Sequence, residues 1–332
     1  MAVRPTNFPR KDVDKHHPYK QQSHPLNGAG KMWDSRYRRA VARMLAAASA
    51  ILAVAVPAGQ AHAAYPGRND SIAFVSDQTG YDQIFAIGSD GQGLTDLSND
   101  PSAMYFSPAW SPDGAKLAFV VSRDGNNDIY VMNADGTGAA RLTTSPSADG
   151  FPSWSPDSSK IAFASSRDGN WDIYAMRADG SGLRNLTRNS GFNVMPAWSP
   201  DGTEIAYAAI APNGLHDDLY VMRSDGSGVR RLTASAASEV EPAWSPDGTA
   251  IAFTSYRQGG EIDVMNADGT GRVRLAPGWS PAWSPEGSEI AFASDRSGTD
   301  EICVMSRDGT HRRVVTTSIS GNQTPDWQPL PG

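Results

Sequence analysis

Residues 108–136 read PAWSPDGAKLAFVVSRDGNNDIYVMNADG, and edited copies of this stretch recur along the chain. The copies are marked by Trp-Ser-Pro, with one degenerate copy near the C-terminal end, and successive tryptophans are 44, 44, 46, 39 and 44 residues apart. These tryptophans are Trp110, Trp154, Trp198, Trp244, Trp283 and Trp327. A repeat of about 40–50 residues is typical of solenoids, propellers and modular arrays.

Each repeat contains short apolar runs that are separated by strong turn signals. The run that starts at Lys160 alternates apolar with small residues, and an Asp-Gly turn separates it from the run that starts at Asp172. Alternation with period two, in runs of about five residues between Asp-Gly pairs, predicts β-strands joined by hairpins. We therefore expect one four-stranded antiparallel sheet per repeat. Its strands are a Pro-Ala-Trp strand, an Ile-Ala-Phe strand, an Asp-Ile-Tyr strand and a short outer strand.

Sheets with two apolar faces bury both of them when they are stacked radially, which is the β-propeller arrangement. The first repeat has no Trp-bearing strand before it, and the last Trp-bearing strand, residues 325–329, has no Ile-Ala-Phe strand after it. The sequence therefore predicts an all-β, six-bladed β-propeller of four-stranded antiparallel blades, in which the C-terminal strand pairs with the N-terminal blade and closes the ring. The six Ile-Ala-Phe strands are centred on Phe74, Phe119, Phe163, Tyr207, Phe253 and Phe292.

The order Trp-Ser-Pro-Asp-Gly, Ile-Ala-Phe, Ser-x-Arg-Asp-Gly and Asp-Ile-Tyr resembles the WD40-like repeat of the TolB-type propellers, over about residues 68–328. The resemblance implies a periplasmic propeller that binds a partner in maintenance of the cell envelope. Related blades occur in Tricorn and in prolyl-oligopeptidase-like enzymes, and propellers in general host many unrelated activities. TolB-type proteins carry an α/β domain ahead of the propeller, whereas here the repeats follow the predicted signal peptide directly.

The first 63 residues predict a secretory signal peptide with an extended basic region, ahead of a propeller over residues 64–332. Residues 44–56 are apolar, and residues 61–63 form an A-x-A cleavage site. An apolar stretch of this length is too short for a comfortable membrane span. We therefore expect cleavage near Ala63, a periplasmic or secreted product, and no membrane anchor afterwards. The basic residues include Arg36, Arg38, Arg39 and Arg43.

Two points about export stay open. Met32 is an alternative start of translation, because the 31 residues before it are polar and unusual ahead of a signal peptide. The Arg38-Arg39 pair leaves a twin-arginine route open beside the general secretory route.

The charge of the predicted mature chain excludes several classes of partner. Residues 64–332 contain 19 Lys and Arg against 33 Asp and Glu, a net charge of −14. That charge opposes binding to nucleic acid or to an anionic lipid surface. We expect a monomeric propeller that binds a protein or a cell-envelope polymer.

The same part of the chain offers little catalytic chemistry. Its histidines are His216 and His311, which lie in different repeats, and no G-x-S-x-G sequence is present to expose a nucleophile. We predict a protein without enzymatic activity. The alternative is a propeller that binds a carbohydrate or small ligand, with lyase or glycosidase activity.

Two loops carry a pattern that is compatible with calcium. Each reads D-x-N-x-D, which would place three oxygen ligands around Ca²⁺. Hairpin turns in which Asp and Asn bond their own backbone, with Arg123 or Arg167 paired to a nearby carboxylate, explain the pattern without a metal. We expect no cofactor and keep calcium as the alternative. The residues are Asp124, Asn126 and Asp128 in one repeat, and Asp168, Asn170 and Asp172 in the next.

Aromatic residues outside the repeated pattern form the predicted binding surface. In a four-stranded blade, the loops between the second and third strands emerge on the same face as the connections between blades. Loop residues that vary between copies are where recognition is encoded. The alternative is that these side chains only shield the blade ends from solvent. They are Tyr105, Phe106, Phe151, Trp171, Phe192 and Trp279.

Overall fold

The structure is a computed structural model, and it describes residues 71–188, 191–210, 214, 216–257, 259–296, 298–317 and 321–329. All regular secondary structure in these ranges is β-strand. In the same ranges no helix has the length and hydrophobicity needed to cross a membrane. The predicted signal peptide and its cleavage site lie outside the described residues.

The described residues form 24 strands, which divide into six blades. In chain order the strands are β1 (Ser71–Ser76), β2 (Gln83–Gly88), β3 (Thr95–Asp96), β4 (Met104–Trp110), β5 (Lys116–Arg123), β6 (Asn126–Asn133), β7 (Ala140–Arg141), β8 (Asp149–Trp154), β9 (Lys160–Ser165), β10 (Asp172–Arg177), β11 (Arg184–Asn185), β12 (Asn193–Trp198), β13 (Glu204–Ile210), β14 (Asp217–Arg223), β15 (Arg230–Arg231), β16 (Glu239–Trp244), β17 (Ala250–Ser255), β18 (Glu261–Asn266), β19 (Val273–Pro277), β20 (Trp279–Trp283), β21 (Glu289–Ser294), β22 (Glu301–Ser306), β23 (Arg313–Val314) and β24 (Asn322–Trp327).

Every blade is a four-stranded antiparallel sheet. Blades 2 to 6 each use four consecutive strands, from β4–β7 to β20–β23, with the Trp-bearing strand innermost. Blade 1 is ordered β24-β1-β2-β3, so its innermost strand comes from the C-terminal end. Ile72 pairs with Trp327 and Ser76 pairs with Asn322 across this junction. The predicted six-bladed fold and its closure by the C-terminal strand are confirmed.

The second strand of each blade forms the centre of the core. Its central aromatic residue is at most 2% exposed in all six blades. The neighbouring positions are small, as with Ala162 and Ala164 around Phe163, and this lets adjacent sheets approach closely. The alternation that predicted these strands therefore reflects burial on both faces of every blade. The six aromatic residues are Phe74, Phe119, Phe163, Tyr207, Phe253 and Phe292.

The Ser-Pro-Asp-Gly segment forms the turn between the first and second strands. In blade 2, Ser111 Oγ donates to Asp113 Oδ1 and accepts from the main-chain N–H of Lys116 at 2.9 Å. Gly114 adopts φ +68°, and a Cβ there would lie 2.6 Å from the carbonyl oxygen of Pro329 in blade 1. Glycine is required because the turn needs a positive φ and because two blades meet at this point.

The repeated tryptophan links neighbouring blades. The indole N–H of Trp154 donates to the carbonyl oxygen of Ala109 at 3.0 Å, and Trp244 and Trp283 make the same bond to Ala197 and Ala243. In each case the acceptor lies two positions after the bulged residue of the preceding innermost strand. In these three blades the tryptophan combines burial with an inter-blade hydrogen bond, whereas the indole N–H groups of Trp110, Trp198 and Trp327 are buried without a hydrogen-bond partner among the described residues.

The spacing of 39 residues has a structural cause in the connection from blade 5 to blade 6. The outer strand β19 extends to Pro277, and β20 begins two residues later at Trp279. Gly278 alone joins them, with φ +153°, and a Cβ at this residue would lie 2.6 Å from the carbonyl oxygen of Ala293. The connection from the outer strand of blade 5 to the innermost strand of blade 6 is therefore shorter than the corresponding connections between other blades.

Candidate functional site

The innermost strand of every blade is interrupted by a β-bulge that faces the central channel. The register shifts in each pairing of a first strand with a second strand, directly before the Pro-Ala-Trp sequence or its equivalent. The residue before the proline has a positive φ in all six blades, between +48° and +56°. These residues are Ser107, Phe151, Met195, Glu241, Ser280 and Thr324. We call them the bulge ring.

The bulge ring is both strained and variable. A non-glycine residue with positive φ costs about 1–3 kcal/mol, and such residues persist where the surrounding structure enforces them, often at functional sites. The proline and tryptophan that follow are the same in every blade, whereas the bulge ring contains serine, phenylalanine, methionine, glutamate and threonine. The fold thus presents five different residue types from six equivalent positions.

These six residues line a cavity of about 630 Å³ that follows the propeller axis. One end of the lining is formed by prolines of the first turns, such as Pro112 and Pro246. The other end is formed by Asp82, Tyr256 and Asp300, which lie near the turns between second and third strands. The volume falls in the range of small-ligand pockets or of one or two inserted side chains.

The cavity is aromatic and acidic. Its lining includes the six repeat tryptophans together with Phe106, Phe151, Tyr256 and Trp279. It also includes four carboxylates, and among the described lining residues there is no Lys, Arg or His. The lining is therefore acidic, with no basic side chain among its described residues to offset these groups. The carboxylates belong to Asp82, Glu241, Asp300 and Asp326.

Glu241 is the charged member of the bulge ring, and it bridges blades 5 and 6. Its Oε2 accepts from Thr254 Oγ1 at 2.7 Å and from the main-chain N–H of Ser280 at 2.8 Å. Its Oε1 accepts from Ser280 Oγ at 3.0 Å. Burial raises the pKa of Glu241 above its usual range, and these three donors oppose that rise.

Asp326 occupies the position that is alanine or serine in the other innermost strands. Its Oδ2 accepts from the main-chain N–H of Trp110 at 2.6 Å, which ties the closing strand β24 to blade 2. Burial raises the pKa of Asp326 to about 7. Ser153 makes the corresponding bond in blade 3, to the main-chain N–H of Trp198 at 3.3 Å.

The predicted aromatic surface is only partly assembled, and the expectation that these residues lie in loops was wrong for four of the six. Tyr105, Phe106, Phe151 and Trp279 belong to innermost strands. The bulges break the period-two alternation, so these strands begin before the segment that the sequence pattern identified. Phe106, Phe151 and Trp279 line the cavity.

The other three predicted aromatic residues lie elsewhere. Tyr105 is buried against Phe119 and donates its hydroxyl to Asp100 at 3.0 Å. Trp171 and Phe192 pack on each other, with ring centroids 6.1 Å apart, and both contact the core of blades 3 to 5. Sequence reasoning missed the bulge ring, although comparing the residue before each Pro-Ala-Trp would have revealed its variation.

The calcium-like loops use their side chains in hydrogen bonds within the blade. Asp128 is buried and accepts from Arg141 at 2.7 Å and from Thr143 Oγ1 at 3.3 Å. Asn126 Nδ2 donates to Asp128 Oδ2 at 3.1 Å, and Asp124 occupies the turn with φ +54°. The first loop thus fastens the outer strand β7 to β6 by side-chain bonds.

The second loop repeats this arrangement. Asp172 accepts from Thr187 Oγ1 at 2.6 Å, and Asp168 accepts from the Tyr174 hydroxyl. Asn170 donates to the carbonyl oxygen of Gly191. In the described ranges no group of three or more His, Cys, Asp or Glu side chains is placed to hold a metal ion. Calcium binding at these loops stays a prediction.

The predicted arginine pairs are confirmed. Arg123 lies 2.6 Å from Asp100 and Arg167 lies 3.0 Å from Asp149. The two histidines lie apart from the channel lining. His216 is buried with its Nε2 3.8 Å from Asp218 Oδ2, and His311 is exposed beside Thr310.

Comparison with known families identifies one family over more than half of the chain. A family described as the TolB beta propeller domain matches residues 99–213 and 181–278. A search of curated proteins found no match.

Solved structures share the propeller fold. TolB from Acinetobacter baumannii has a TM-score of 0.72 at 23% identity, covering 80% of this chain and 68% of that chain. A putative TolB from Agrobacterium tumefaciens has a TM-score of 0.60 at 23% identity, covering 78% and 98%. An oligogalacturonate lyase from Vibrio parahaemolyticus has a TM-score of 0.52 at 15% identity, covering 73% of each chain. At these identities the likeness shows a common fold.

Proposed function

The chain belongs to the TolB β-propeller domain family, and from this premise we propose that it is an exported, non-catalytic propeller that binds a protein or envelope polymer at its central channel. Export is supported by the basic, apolar and A-x-A segments of residues 1–63. A periplasmic or secreted product agrees with the acidic charge of the remaining chain.

The observation that carries the binding proposal is the bulge ring. Six equivalent positions with strained backbones present five different residue types to a cavity of about 630 Å³. A purely structural ring would be satisfied by the serine or threonine that three blades carry there. Phe151, Met195 and Glu241 depart from that pattern and add an aromatic, an apolar and an acidic side chain to the channel lining.

The lyase-like alternative is less well supported by the charge of the site. The substrate class named by the oligogalacturonate lyases is a polyanion, and the lining of this channel has four carboxylates and, among its described residues, no basic side chain. Repulsion between like charges in a low-dielectric cavity opposes such a ligand. The carbohydrate-binding alternative is therefore tested with a neutral carbohydrate.

The test compares channel variants with surface variants, and the melting temperature of each variant shows whether it is folded, because Met195 belongs to the core. Phe151→Ser with Met195→Ser introduces the residue that blades 2 and 6 already carry at the bulge. Leu183→Ser with Val229→Ser makes the same kind of change at outer positions that are 44% and 54% exposed. Partners are captured from envelope extract with the wild-type protein, and their affinity for each purified variant is then measured.

We expect the channel variant to lose at least about tenfold in affinity, because buried apolar anchors dominate binding energy. The surface variant should bind like the wild type. Equal affinity of the wild type and the channel variant would overturn the channel as the binding site. Turnover of an oligosaccharide by the wild-type protein would overturn the assignment as a non-catalytic propeller.

A further inference from the structure

Most buried carboxylates of the described chain are paired with an arginine. Six buried Asp and Glu residues form an ion pair with an arginine, such as Asp149 with Arg167 at 3.0 Å and Glu261 with Arg274 at 2.7 Å. Burying a carboxylate without a counter-charge is costly, so this pairing is the expected arrangement. The six are Asp128, Asp149, Asp218, Glu239, Glu261 and Asp263.

Glu241 and Asp326 form no ion pair with any described residue. Both are bonded only by uncharged donors, namely hydroxyl and main-chain N–H groups. Glu241 and Asp326, two of the four carboxylates that line the cavity, thus receive hydrogen bonds but no cation, as buried Asp172 also does from Thr187 and Asn185.

Hydrogen bonds hold the carboxylate of Glu241 in place, and the group can still accept a further hydrogen bond. Oε2 accepts two hydrogen bonds and Oε1 accepts one. A carboxylate offers about four lone-pair sites, so Oε1 retains room for a further donor. The bonds from Thr254 and Ser280 fix the orientation of the group before a ligand arrives.

Two aromatic residues, Tyr256 and Trp279, line the same cavity as Glu241. A Cβ built on Gly260 would lie 3.6 Å from a ring atom of Tyr256 and 3.6 Å from a ring atom of Trp279, so both rings converge on one point. Trp279 directly precedes Ser280, which is bonded to Glu241. Because Gly278 replaces a longer connection, this side of the channel mouth has no covering loop of the length found in other blades.

We propose that the site of Glu241, Tyr256 and Trp279 binds a cationic group carried on an apolar stem, namely the arginine or lysine side chain of a protein partner. An approaching cation favours the ionised form of Glu241, whose carboxylate then supplies the counter-charge, and aromatic faces attract a cation within about 6 Å. The apolar lining buries the stem of the side chain. This inference rests on the proposed function, since it names the chemistry by which the channel recognises its partner.

The test uses small peptides of defined charge. Acetyl-Gly-Arg-Gly-amide is titrated into the protein at pH 8, together with the peptide in which citrulline replaces arginine as a neutral isostere. Binding is followed by tryptophan fluorescence and by saturation-transfer NMR. We expect saturable binding of the arginine peptide and at least about tenfold weaker binding of the citrulline peptide.

Two variants and one control assign the effect to the site. Glu241→Gln and Glu241→Ser, the latter being the residue of blades 2 and 6, should each weaken arginine-peptide binding at least about tenfold while the citrulline peptide is unaffected. Asp157→Asn removes an exposed carboxylate from a first turn and should change neither affinity. Melting temperatures of all variants show whether a loss of binding reflects unfolding. If Glu241→Gln does not fold, Glu241→Ser is used in its place.

Three results would overturn the inference. These are equal binding of the arginine and citrulline peptides, unchanged binding by both folded Glu241 variants, and complete displacement of the arginine peptide by stoichiometric CaCl₂, which would assign the site to a divalent ion. If Phe151→Ser with Met195→Ser abolishes partner binding while the Glu241 variants bind normally, the cation inference fails and the proposed function stands. If the channel variants have no effect on the partner, both fail.

Discussion

Replacing Asp326 by asparagine is expected to change how the stability of the protein depends on pH. Burial raises the pKa of Asp326 from 3.8 to about 7, and main-chain N–H groups of Trp110 and Trp327 oppose that rise only in part. The folded protein therefore holds a proton at this group over a pH range in which the unfolded chain has lost it. The stability from this proton is complete below the unfolded pKa of 3.8 and is lost as the pH rises through about 7.

The size of the effect follows from the two pKa values. Between pH 5 and pH 8 the unfolded carboxyl is already ionised while the folded one titrates at about 7. Each pKa unit corresponds to about 1.4 kcal/mol, so the window from 5 to 7 sets an upper bound of about 3 kcal/mol. Asparagine removes the titration and keeps an oxygen that accepts the Trp110 N–H. Relaxation of water around the charge reduces the effect. We therefore expect the free energy of unfolding of the variant, relative to that of the wild type, to rise by about 2 kcal/mol between pH 5 and pH 8.

Urea unfolding at several pH values, followed by tryptophan fluorescence, measures the free energy of unfolding directly. Asp217 also has its pKa raised to about 7 by burial, so the double variant with Asp217→Asn should show a flatter profile than either single variant. Asp157→Asn is the control, because hydrogen bonds from Ser155 and Ser159 lower the pKa of Asp157 to about 2 and it stays ionised throughout the window. Parallel stability profiles of the wild type and Asp326→Asn from pH 5 to pH 8 would refute this reasoning.

Four further outcomes are expected. Deleting residues 321–332 removes β24, exposes the edge of β1 and should cause aggregation, and a truncated protein that melts cooperatively at the wild-type temperature would disprove closure by this strand. Trp154→Phe loses the bond to Ala109 and should lower the free energy of unfolding by about 1 kcal/mol more than Trp198→Phe, because the indole N–H of Trp198 has no partner in the described part of the chain. Equal losses in urea titrations would contradict the inter-blade role. Millimolar calcium should leave the melting temperature unchanged, because Asp128 and Asp172 already serve the outer strands, whereas a saturable rise would establish the metal site. Mass spectrometry of the exported protein should find its N-terminus at Ala64 or within a residue or two, and an intact membrane-embedded Met1 form would show an anchor instead.

The sequence alone predicted the fold because its determinants are local and repeated. The central aromatics such as Phe163, the Ser-Pro-Asp-Gly turns and the tryptophan spacing all recur, and each keeps the same structural role where it occurs. Closure was predictable because the missing first strand of blade 1 and the extra strand with Trp327 complement each other.

The candidate site was predicted less well, because it depends on a departure from regular alternation. The bulges turn Phe151 and Glu241 toward the axis through a positive φ that no periodic pattern encodes. Trp279 was expected in a loop, and the one-residue connection at Gly278 places it in a strand instead. The ion pairs of buried carboxylates also join segments far apart in the sequence, as with Glu239 and Arg272. The unpaired state of Glu241 could therefore be recognised only from the assembled blades.

Closure by the C-terminal strand determines when the chain can finish folding. Ser71 and Gln328 bond across 257 positions of sequence, and blade 1 lacks its innermost strand until the last residues are available. Pairing of such distant segments is slow, because the entropy of closing the loop must be overcome before the contacts form. On the proposed general secretory route, in which the chain would cross unfolded and N-terminus first, the ring would stay open until the final strand has crossed the membrane. Late closure would delay premature folding on the inner side and favour assembly of the complete propeller after export.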